Sequence, residues 1–419
     1  MATVASPQPA GRSRLNLKDF VVPAHFPRVS VDLDALKVAA IIPAYRPEEL
    51  TAKLVEDLVR WNPRIRVYVV DDCTPPNPLS TRIFEKIAAV SPEVVLLRTP
   101  VNTLKAGALN YALAYIRAAK DGPLPDVILS LDDDVVVVPS TVRNLVAELV
   151  SLDHMGAVCS QCRVLNKNKN LLTRLQGLEY LGFNATRLAD EGFYRGPLVM
   201  HGMLTAFRAK ALFAAGGFAE GHLIEDYEMT TRLKTQGWSV KLAVGSPAWT
   251  VVPETFSRWW RQRARWSYGG ITVITKAKQL TAVLQDVIGH GVFFATVIMI
   301  ALMLVFEGED RIPTQIAYWV IGLSAIQLTL WYGFLLWLMR LYKEKDRYDW
   351  LIRISMVPEF IYTNVLTIIL MGSYLFLVFN ILTREVTTKS RTVSRRLVAI
   401  GAALFALCGY TRSWGTRIQ

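Results

Sequence analysis

The chain has 419 residues, of which 52% are hydrophobic and 20% charged, and it carries a formal net charge of +12. An apolar share above the roughly 45–50% of soluble domains excludes disorder and a collagen-like repeat, and the length leaves room for about two domains plus an extra segment. Four cysteines are too few for a disulfide scaffold, and the lone C-x-x-C pair, Cys159 and Cys162, lacks a second Cys/His pair to complete a zinc site, so both are expected to be small buried residues.

Residues 1–37 form a polar arm containing Pro7, Pro9, Pro23 and Pro27. No charged-then-apolar leader opens it, so the segment before about residue 280 is expected to stay in the cytosol. Short runs rich in β-branched residues follow at 38–43, 66–70, 94–98 and 127–131, the pattern of strands buried on both faces. Between them, 47–60, 81–90 and 106–119 carry apolar residues at helical spacing. Strands alternating with helices predict an α/β fold, a doubly wound, mainly parallel sheet whose ligands bind beyond the carboxyl ends of the strands. The residues after the first, second and fourth strands are Ala44-Tyr45-Arg46, Asp71-Asp72-Cys73 and Asp132-Asp133-Asp134. No G-x-G-x-x-G follows the first strand and no P-loop, G-x-S-x-G or H-E-x-x-H occurs, which argues against dinucleotide, ATPase, serine-hydrolase and zinc-protease chemistry.

Five motifs carry chemistry. Three carboxylates at Asp132–Asp134 repel one another, and alternate ones can share a hard divalent ion with a diphosphate; a solvated acidic turn is the plain alternative. Asp72 can accept a hydrogen bond from a base N–H while Tyr45 stacks on the same ring, although both are ordinary residues after a strand. In Lys105-Ala106-Gly107-Ala108-Leu109-Asn110, the lysine can offset diphosphate charge, Gly107 permits close backbone approach and Asn110 faces back toward the loop; a helix start gives the same pattern. Glu225-Asp226 suits general-base work if burial raises its pKa, or simply caps a helix. Gln262, Arg265 and Trp266 share a helical face, and Arg258, Trp259, Trp260, Arg261 and Arg263 around them make a basic-aromatic helix suited to lying on a bilayer.

Residues 287–306, 316–339 and 360–383 each run 20 or more residues without a formal charge, enough to cross a bilayer core, with Tyr318, Trp319, Trp331, Tyr332 and Trp337 placed as an interfacial belt. The apolar stretch 397–410 is too short to span. The loop 307–315 has one basic residue and 340–359 has five, which puts the first outside and the second inside. The tail from Arg384 holds seven basic residues and one acidic, a balance that suits an anionic membrane surface at least as well as nucleic acid, yet it emerges outside if the third segment spans. The expected division is an arm at 1–37, a catalytic domain at 38–250, an interfacial amphipathic segment at 251–286, a transmembrane region at 287–383 and a basic tail at 384–419.

Taken in order, V-V-D-D-C-T, L-K-A-G-A-L-N, D-D-D-V-V-V-V-P, I-E-D-Y-E-M-T-T-R-L and Q-R-A-R-W, followed by apolar helices, resemble the membrane-bound family-2 inverting glycosyltransferases, the group of the cellulose, chitin, hyaluronan and poly-N-acetylglucosamine synthases. The resemblance covers about residues 38–383. It implies a GT-A catalytic domain that takes a sugar from a nucleotide-diphosphate donor, UDP by resemblance, with Mg²⁺ or Mn²⁺. Carried over by position, Tyr45 and Asp72 would hold the nucleobase, Lys105 and Asp132 would bind the nucleotide, and Asp134 with Asp132 would hold the metal. Asp226 would be the general base, and Glu225, Gln262, Arg265 and Trp266 would meet the diphosphate and the acceptor. The stretch from His201 to Arg208 would line the acceptor pocket.

The implied setting is a multi-pass protein of the plasma membrane with its catalytic domain on the cytoplasmic side, extending a β-linked polysaccharide. Its partners would be a nucleotide sugar, a sugar polymer or lipid-linked acceptor and the bilayer, not nucleic acid, with room for an oligomer or secretion partner. The polysaccharide synthases usually carry transmembrane helices ahead of the catalytic domain, and this chain shows none. That departure favours single transfer to a lipid-linked acceptor; a non-catalytic scaffold is a further alternative, opposed by the retained acidic motifs. Ile224 stands where many relatives have Thr, and Asp133 where they have a small residue.

Overall fold

Four runs of β-branched and small apolar residues build one half of a sheet: β1 (Val38–Ala44), β2 (Arg66–Asp71), β3 (Val94–Arg98) and β4 (Val127–Leu131). They lie in the order β3-β2-β1-β4, all parallel, with Ala44 opposite Asp71 and Asp71 opposite Arg98. Successive side chains point to opposite faces, so Ala40, Ile42, Val67 and Val69 enter one core while Ala39, Ile41, Tyr68 and Val70 enter the other. Helices α1 (Glu49–Trp61) and α2 (Pro78–Ala88) cover the first face, and α3 (Leu104–Arg117) covers the second. The fold is described here from a computed structural model over residues 29–118, 122–191, 194–277, 314–389, 393–411 and 414.

The expected strands and helices of this half are present with small shifts. Helix α2 starts at Pro78 rather than at 81, because proline is tolerated at the first helical position, where its missing N–H costs nothing, and Asn77 caps the turn by accepting from Ser80 N.

The second half departs from the expected parallel pattern. It comprises β5 (Val136–Val137), α4 (Thr141–Val150), β6 (Met155–Val164), α5 (Leu171–Ala189), β7 (Leu204–Arg208), α6 (Ala209–Ala214), α7 (Glu225–Thr235) and β8 (Ser239–Thr250). The sheet continues β4-β7-β6-β8-β5, and β7 runs antiparallel to both β4 and β6, so the eight strands form a mixed sheet. A five-residue strand buried on both faces has no polar edge from which its direction could be read. Cys159 and Cys162 sit three apart on β6 and enter different cores, so they are buried singly rather than paired as ligands or in a disulfide.

Beyond the sheet, α8 (Phe256–Ala277) is followed by α9 (Thr314–Leu338), α10 (Arg347–Ser355), α11 (Val357–Lys389) and α12 (Val393–Leu407). The chain divides into two compact units, one with the residues up to Lys276 and from Leu366, the other with Ala277–Val365. In the smaller unit, Asp346 caps α10 by accepting from Tyr348 N and Asp349 N, and Arg353 pairs with Glu359 at 2.8 Å.

In the larger unit, α12 runs back along α11. A Cβ added at Gly401 would meet the Phe379 ring at 2.5 Å, and Tyr410 donates to Ile369 O at 2.7 Å. The segment after α12 thereby returns to α8: Trp260 Nε1 donates to Cys408 O at 2.7 Å, and Trp414 stacks on Tyr268.

Among the described residues one helix segment, Val357–Thr383, is long and apolar enough to cross a membrane. Of the other expected spans, 287–306 lies outside the described residues. The stretch 316–339 falls on helix α9, in which Leu328–Leu338 is a shorter apolar run, as is Val398–Leu407 in α12.

Candidate active site

The carboxyl ends of β1, β2 and β4 and the start of α7 bring the acidic motifs to one end of the sheet. Lys105 stands among them. Its ammonium lies 2.5 Å from Asp132 Oδ1 and 3.1 Å from Glu225 Oε1, and it donates to Gly202 O at 3.1 Å. Burial works against its charge, but Asp132, Glu225 and Asp226 outweigh that and hold it above the ordinary lysine value. In this structure Lys105 therefore bridges the D-D-D loop and the E-D pair.

Asp226 occupies the first turn of α7. Its Oδ2 accepts the Gly202 N–H at 2.7 Å and its Oδ1 the Tyr227 N–H at 2.7 Å. Burial pushes its carboxyl up to about 6, with Glu225 adding repulsion and Lys105 and the two N–H groups opposing. Burial also acts on Glu225, yet the adjacent Lys105 holds it below the usual value. Two neighbouring carboxylates are thus driven apart, one fixed as an anion and one poised to take a proton near neutral pH.

Gly202 lies close to both groups. A Cβ there would lie 2.7 Å from Lys105 Nζ and 3.1 Å from Asp226 Oδ2, so a side chain would displace the ammonium from its present position. The sequence reading includes Gly202 only as part of an acceptor-lining stretch, because nothing local links it to positions 97 and 24 residues away. Its neighbour His201 directs Nε2 to Ser160 O at 2.5 Å, and burial pushes the imidazole down to about 3, so it is neutral and not a general acid.

In the D-D-D loop, Asp134 Oδ2 accepts from the Thr250 hydroxyl at 2.9 Å. Burial and the charge of Asp132 push it up to about 6, and burial with both neighbours pushes Asp133 up to about 7. This is the repulsion expected of a carboxylate set that a cation would relieve. No group of three His, Cys, Asp or Glu converges among the described residues. Asp132 and Asp134 would therefore offer a hard divalent ion at most two carboxylates, a donor set that fits Mg²⁺ or Mn²⁺ when a diphosphate completes the shell.

The nucleobase candidates differ from each other. Tyr45 is 44% exposed, so it is not an ordinary core aromatic; Arg46 lies 5.3 Å over its ring. Asp72 is buried, and its Oδ1 accepts from Thr99 Oγ1 at 3.0 Å, Thr103 N at 2.8 Å and Thr103 Oγ1 at 2.8 Å. Its neighbour Asp71 pairs with Arg98.

Two expectations for α3 need correction. A Cβ at Gly107 would meet Thr103 Cβ at 2.4 Å, so the missing side chain makes room for the threonine that holds Asp72 and not for a diphosphate. Asn110 binds Phe218 through both O and N–H and also reaches Glu220, clamping the loop before α7 rather than facing its own.

Helix α8 is likewise turned differently from a helix lying free on a bilayer. Trp259 is 1% exposed and Arg263 is 4% exposed, with Arg263 forming a two-pronged pair to Glu179 of α5 at 3.0 and 2.5 Å. Such a buried pair anchors α8 to the catalytic domain, because either charge alone would be stranded away from water. Trp260 is engaged by Cys408 O, which leaves Arg258 and Arg261 as the exposed basic residues of that set. Of the Q-x-x-R-W residues, Arg265 donates to Leu223 O at 2.9 Å, just before Glu225. Gln262 accepts from Arg263 at 2.5 Å, and Trp266 packs against Phe183 with the Arg263 guanidinium 4.1 Å from its ring centre.

Comparison with known proteins identifies the family and the fold. The model of glycosyl transferase family group 2 matches residues 127–382, and that of glycosyl transferase family 2 matches 39–213. A probable glycosyltransferase, YdaM, of Bacillus subtilis is 28% identical over 246 residues, 57% of this chain and 56% of its own length. A poly-beta-1,6-N-acetyl-D-glucosamine synthase of Staphylococcus aureus is 25% identical over 36% of each chain, so this chain spans about half the length of the first relative and about a third of the second. The mannosyltransferase PcManGT of Pyrobaculum calidifontis, solved with GDP-Man and Mn²⁺, shares the fold with a TM-score of 0.53 at 18% identity, over 77% of this chain and 88% of its own. With a family model covering more than half of its residues and the acidic motifs gathered at one end of the sheet, the chain belongs to glycosyl transferase family group 2 and is a family-2 glycosyltransferase.

Proposed function

We propose that this enzyme transfers a sugar, with inversion, from a nucleoside-diphosphate sugar to a growing β-linked polysaccharide at a membrane surface. The observation that carries the reading is Asp226, buried at the start of α7, raised to about 6 and locked by the Gly202 N–H beside Lys105 and Asp132. A carboxylate so placed can take the proton of an acceptor hydroxyl, which then attacks the anomeric carbon from the face opposite the leaving diphosphate; an α-linked donor gives a β-linked product. Tyr45 and Asp72 would face the nucleobase, while Lys105 and Arg265 would balance charge on the diphosphate. Glu225 would hold Lys105 in place, and Gln262 and Trp266 would meet the acceptor. Asp134 and Asp132 would hold Mg²⁺ or Mn²⁺, which when bound stabilises negative charge on the departing diphosphate.

The membrane setting is supported by the attachment of α8 to the apolar helix pair. The helix bearing Q-R-A-R-W binds α11 through Tyr268 and Asn380 at 2.9 Å, and α11 presents Ile368, Leu375 and Leu382, each more than half exposed, along one stripe. The expected location is the plasma membrane, multi-pass, with the catalytic domain cytoplasmic. The contacts of Cys408 and Trp414 with α8 favour placing these two residues on the catalytic side. A single transfer to a lipid-linked acceptor is the second reading, because the same buried base would serve one acceptor hydroxyl as well as a growing chain.

Detergent-purified protein offered UDP- and GDP-sugars with Mn²⁺ or Mg²⁺ tests both. Release of nucleoside diphosphate with a radiolabelled product of many lengths supports the polymer reading. A product of one added sugar supports single transfer, and no release from any donor defeats both.

A further inference from the structure

We propose that Arg98, the last residue of β3, is a positioning residue for the nucleobase end of the donor site. The proposal rests on the reading that Tyr45 and Asp72 face the base. Arg98 Nη1 pairs with Asp71 Oδ2, and its Nη2 donates to Thr74 O at 3.0 Å. The second oxygen of Asp71 accepts the Thr74 N–H at 2.8 Å. One guanidinium and one carboxylate therefore grip Thr74 by its carbonyl and its amide, and Asp71 and Thr74 are 3% and 2% exposed.

From Thr74 the linkage runs to the ring. Its hydroxyl accepts the Arg46 N–H at 3.0 Å, and Arg46 lies over Tyr45. Arg46 and Cys73 both adopt left-handed backbone angles, φ 56° and 54°, in which non-glycine residues are uncommon and persist only where neighbours hold them. Thr74 adjoins Cys73 and bonds to Arg46, so Arg98 braces both strained positions through one residue. The two loops after β1 and β2 are thereby joined, and the exposed Tyr45 ring sits on the brace.

The chemistry requires arginine. The planar fork serves a carboxylate and a carbonyl at once, whereas a lysine ammonium is a single point charge on a flexible stem. Asp71 and Arg98 are also register partners across β2 and β3, so the pair forms where the strands already place it.

Arg98→Ala and Arg98→Lys in the full chain test the proposal by donor KM, kcat, calorimetric binding of UDP and GDP, and melting temperature. For Arg98→Ala, donor KM and the Kd of the preferred nucleotide should rise about tenfold, the scale of one lost charge-assisted hydrogen bond, with kcat at saturation nearly unchanged. Arg98→Lys should recover only part of the loss. In a Tyr45→Ala background, Arg98→Ala should add little, which a merely structural role would not predict. Undiminished nucleotide binding by Arg98→Ala, or a loss of kcat in step with melting temperature and additive with Tyr45→Ala, overturns the proposal while leaving the donor reading intact. Failure of the unsubstituted chain to bind any nucleoside diphosphate overturns the donor reading and this proposal with it.

Discussion

Asp71 and Asp72 close β2 among donors: Asp71 pairs with Arg98 and accepts from Thr74, and Asp72 accepts three hydrogen bonds from Thr99 and Thr103 at one oxygen. Asp133, Asp134 and Asp226, at the same end of the sheet, are pushed up to about 7, 6 and 6 by burial and by the carboxylates crowding them. The difference lies in partners, since aspartates of both groups stand at strand or helix ends. Where donors saturate a carboxylate it becomes part of the scaffold; where like charges crowd it, its affinity for a proton or a cation rises. The second region is where chemistry is expected, and the first shapes a surface for recognition.

The strongest attempt to break this division is Asp134→Asn. Removing one of only two carboxylates should abolish turnover and eliminate the rise in melting temperature on adding Mn²⁺, while the melting temperature without metal holds or rises because repulsion falls. Full activity in the variant, or unchanged activity in EDTA, would remove Asp134 from the metal site.

Asp226→Asn comes next, with transfer slowed at least about 10²-fold, the scale of general-base catalysis, and nucleotide binding retained. The active form of Asp226 is ionised, so kcat should rise with pH through about 6, and the variant should lose that limb. The stability sign is opposite. Between the ordinary value of 3.8 and about 6, the folded protein keeps a proton that the unfolded chain has released, so Asp226 makes stability fall as pH rises through this window. Asp226→Asn should flatten that fall in urea titrations.

Much of this was legible in the residues themselves, and the rest fails for identifiable reasons. Strand ends are readable because β-branched runs bounded by acidic residues have few other uses, so the places of Asp72 after β2 and Asp132 after β4 follow from the sequence, and the acidic pair before an apolar-spaced run marks Asp226 at a helix start. The facing of α8 was not, since an aromatic-basic stripe suits lipid and a protein surface equally. What engages the buried Arg263 is Glu179, 84 positions away. Gly107 and Asn110 were given roles toward a ligand, while the fold uses them to seat Thr103 and to hold Phe218. Thr250, a hydroxyl 116 residues from Asp134, carried no local signal at all.

Thr250→Val sharpens the comparison at intermediate size. It removes the hydroxyl that orients Asp134 and keeps the side-chain shape, and loss of such an outer partner typically costs about 10- to 100-fold in metal affinity or activity. The Mn²⁺ concentration for half-maximal activity should rise, and excess Mn²⁺ should restore much of the rate.

The smallest effect is expected from the same atomic change in the other region. Thr99 is 1% exposed and donates to Asp72 Oδ1 at 3.0 Å, but Thr103 supplies that oxygen with two further donors. Thr99→Val therefore removes one of three hydrogen bonds without stranding the carboxylate, which should cost about 1 kcal/mol of stability. Because Asp72 stands at the nucleobase end and not at the reacting atoms, the rate at saturating donor and metal should not change, and added Mn²⁺ should restore nothing. Urea melts and metal titrations of Thr99→Val and Thr250→Val side by side read both halves of the claim. If Thr99→Val slows saturated transfer as much as Thr250→Val does, the two aspartate clusters act as one unit, and the separation between a recognition region and a reactive centre has to be abandoned.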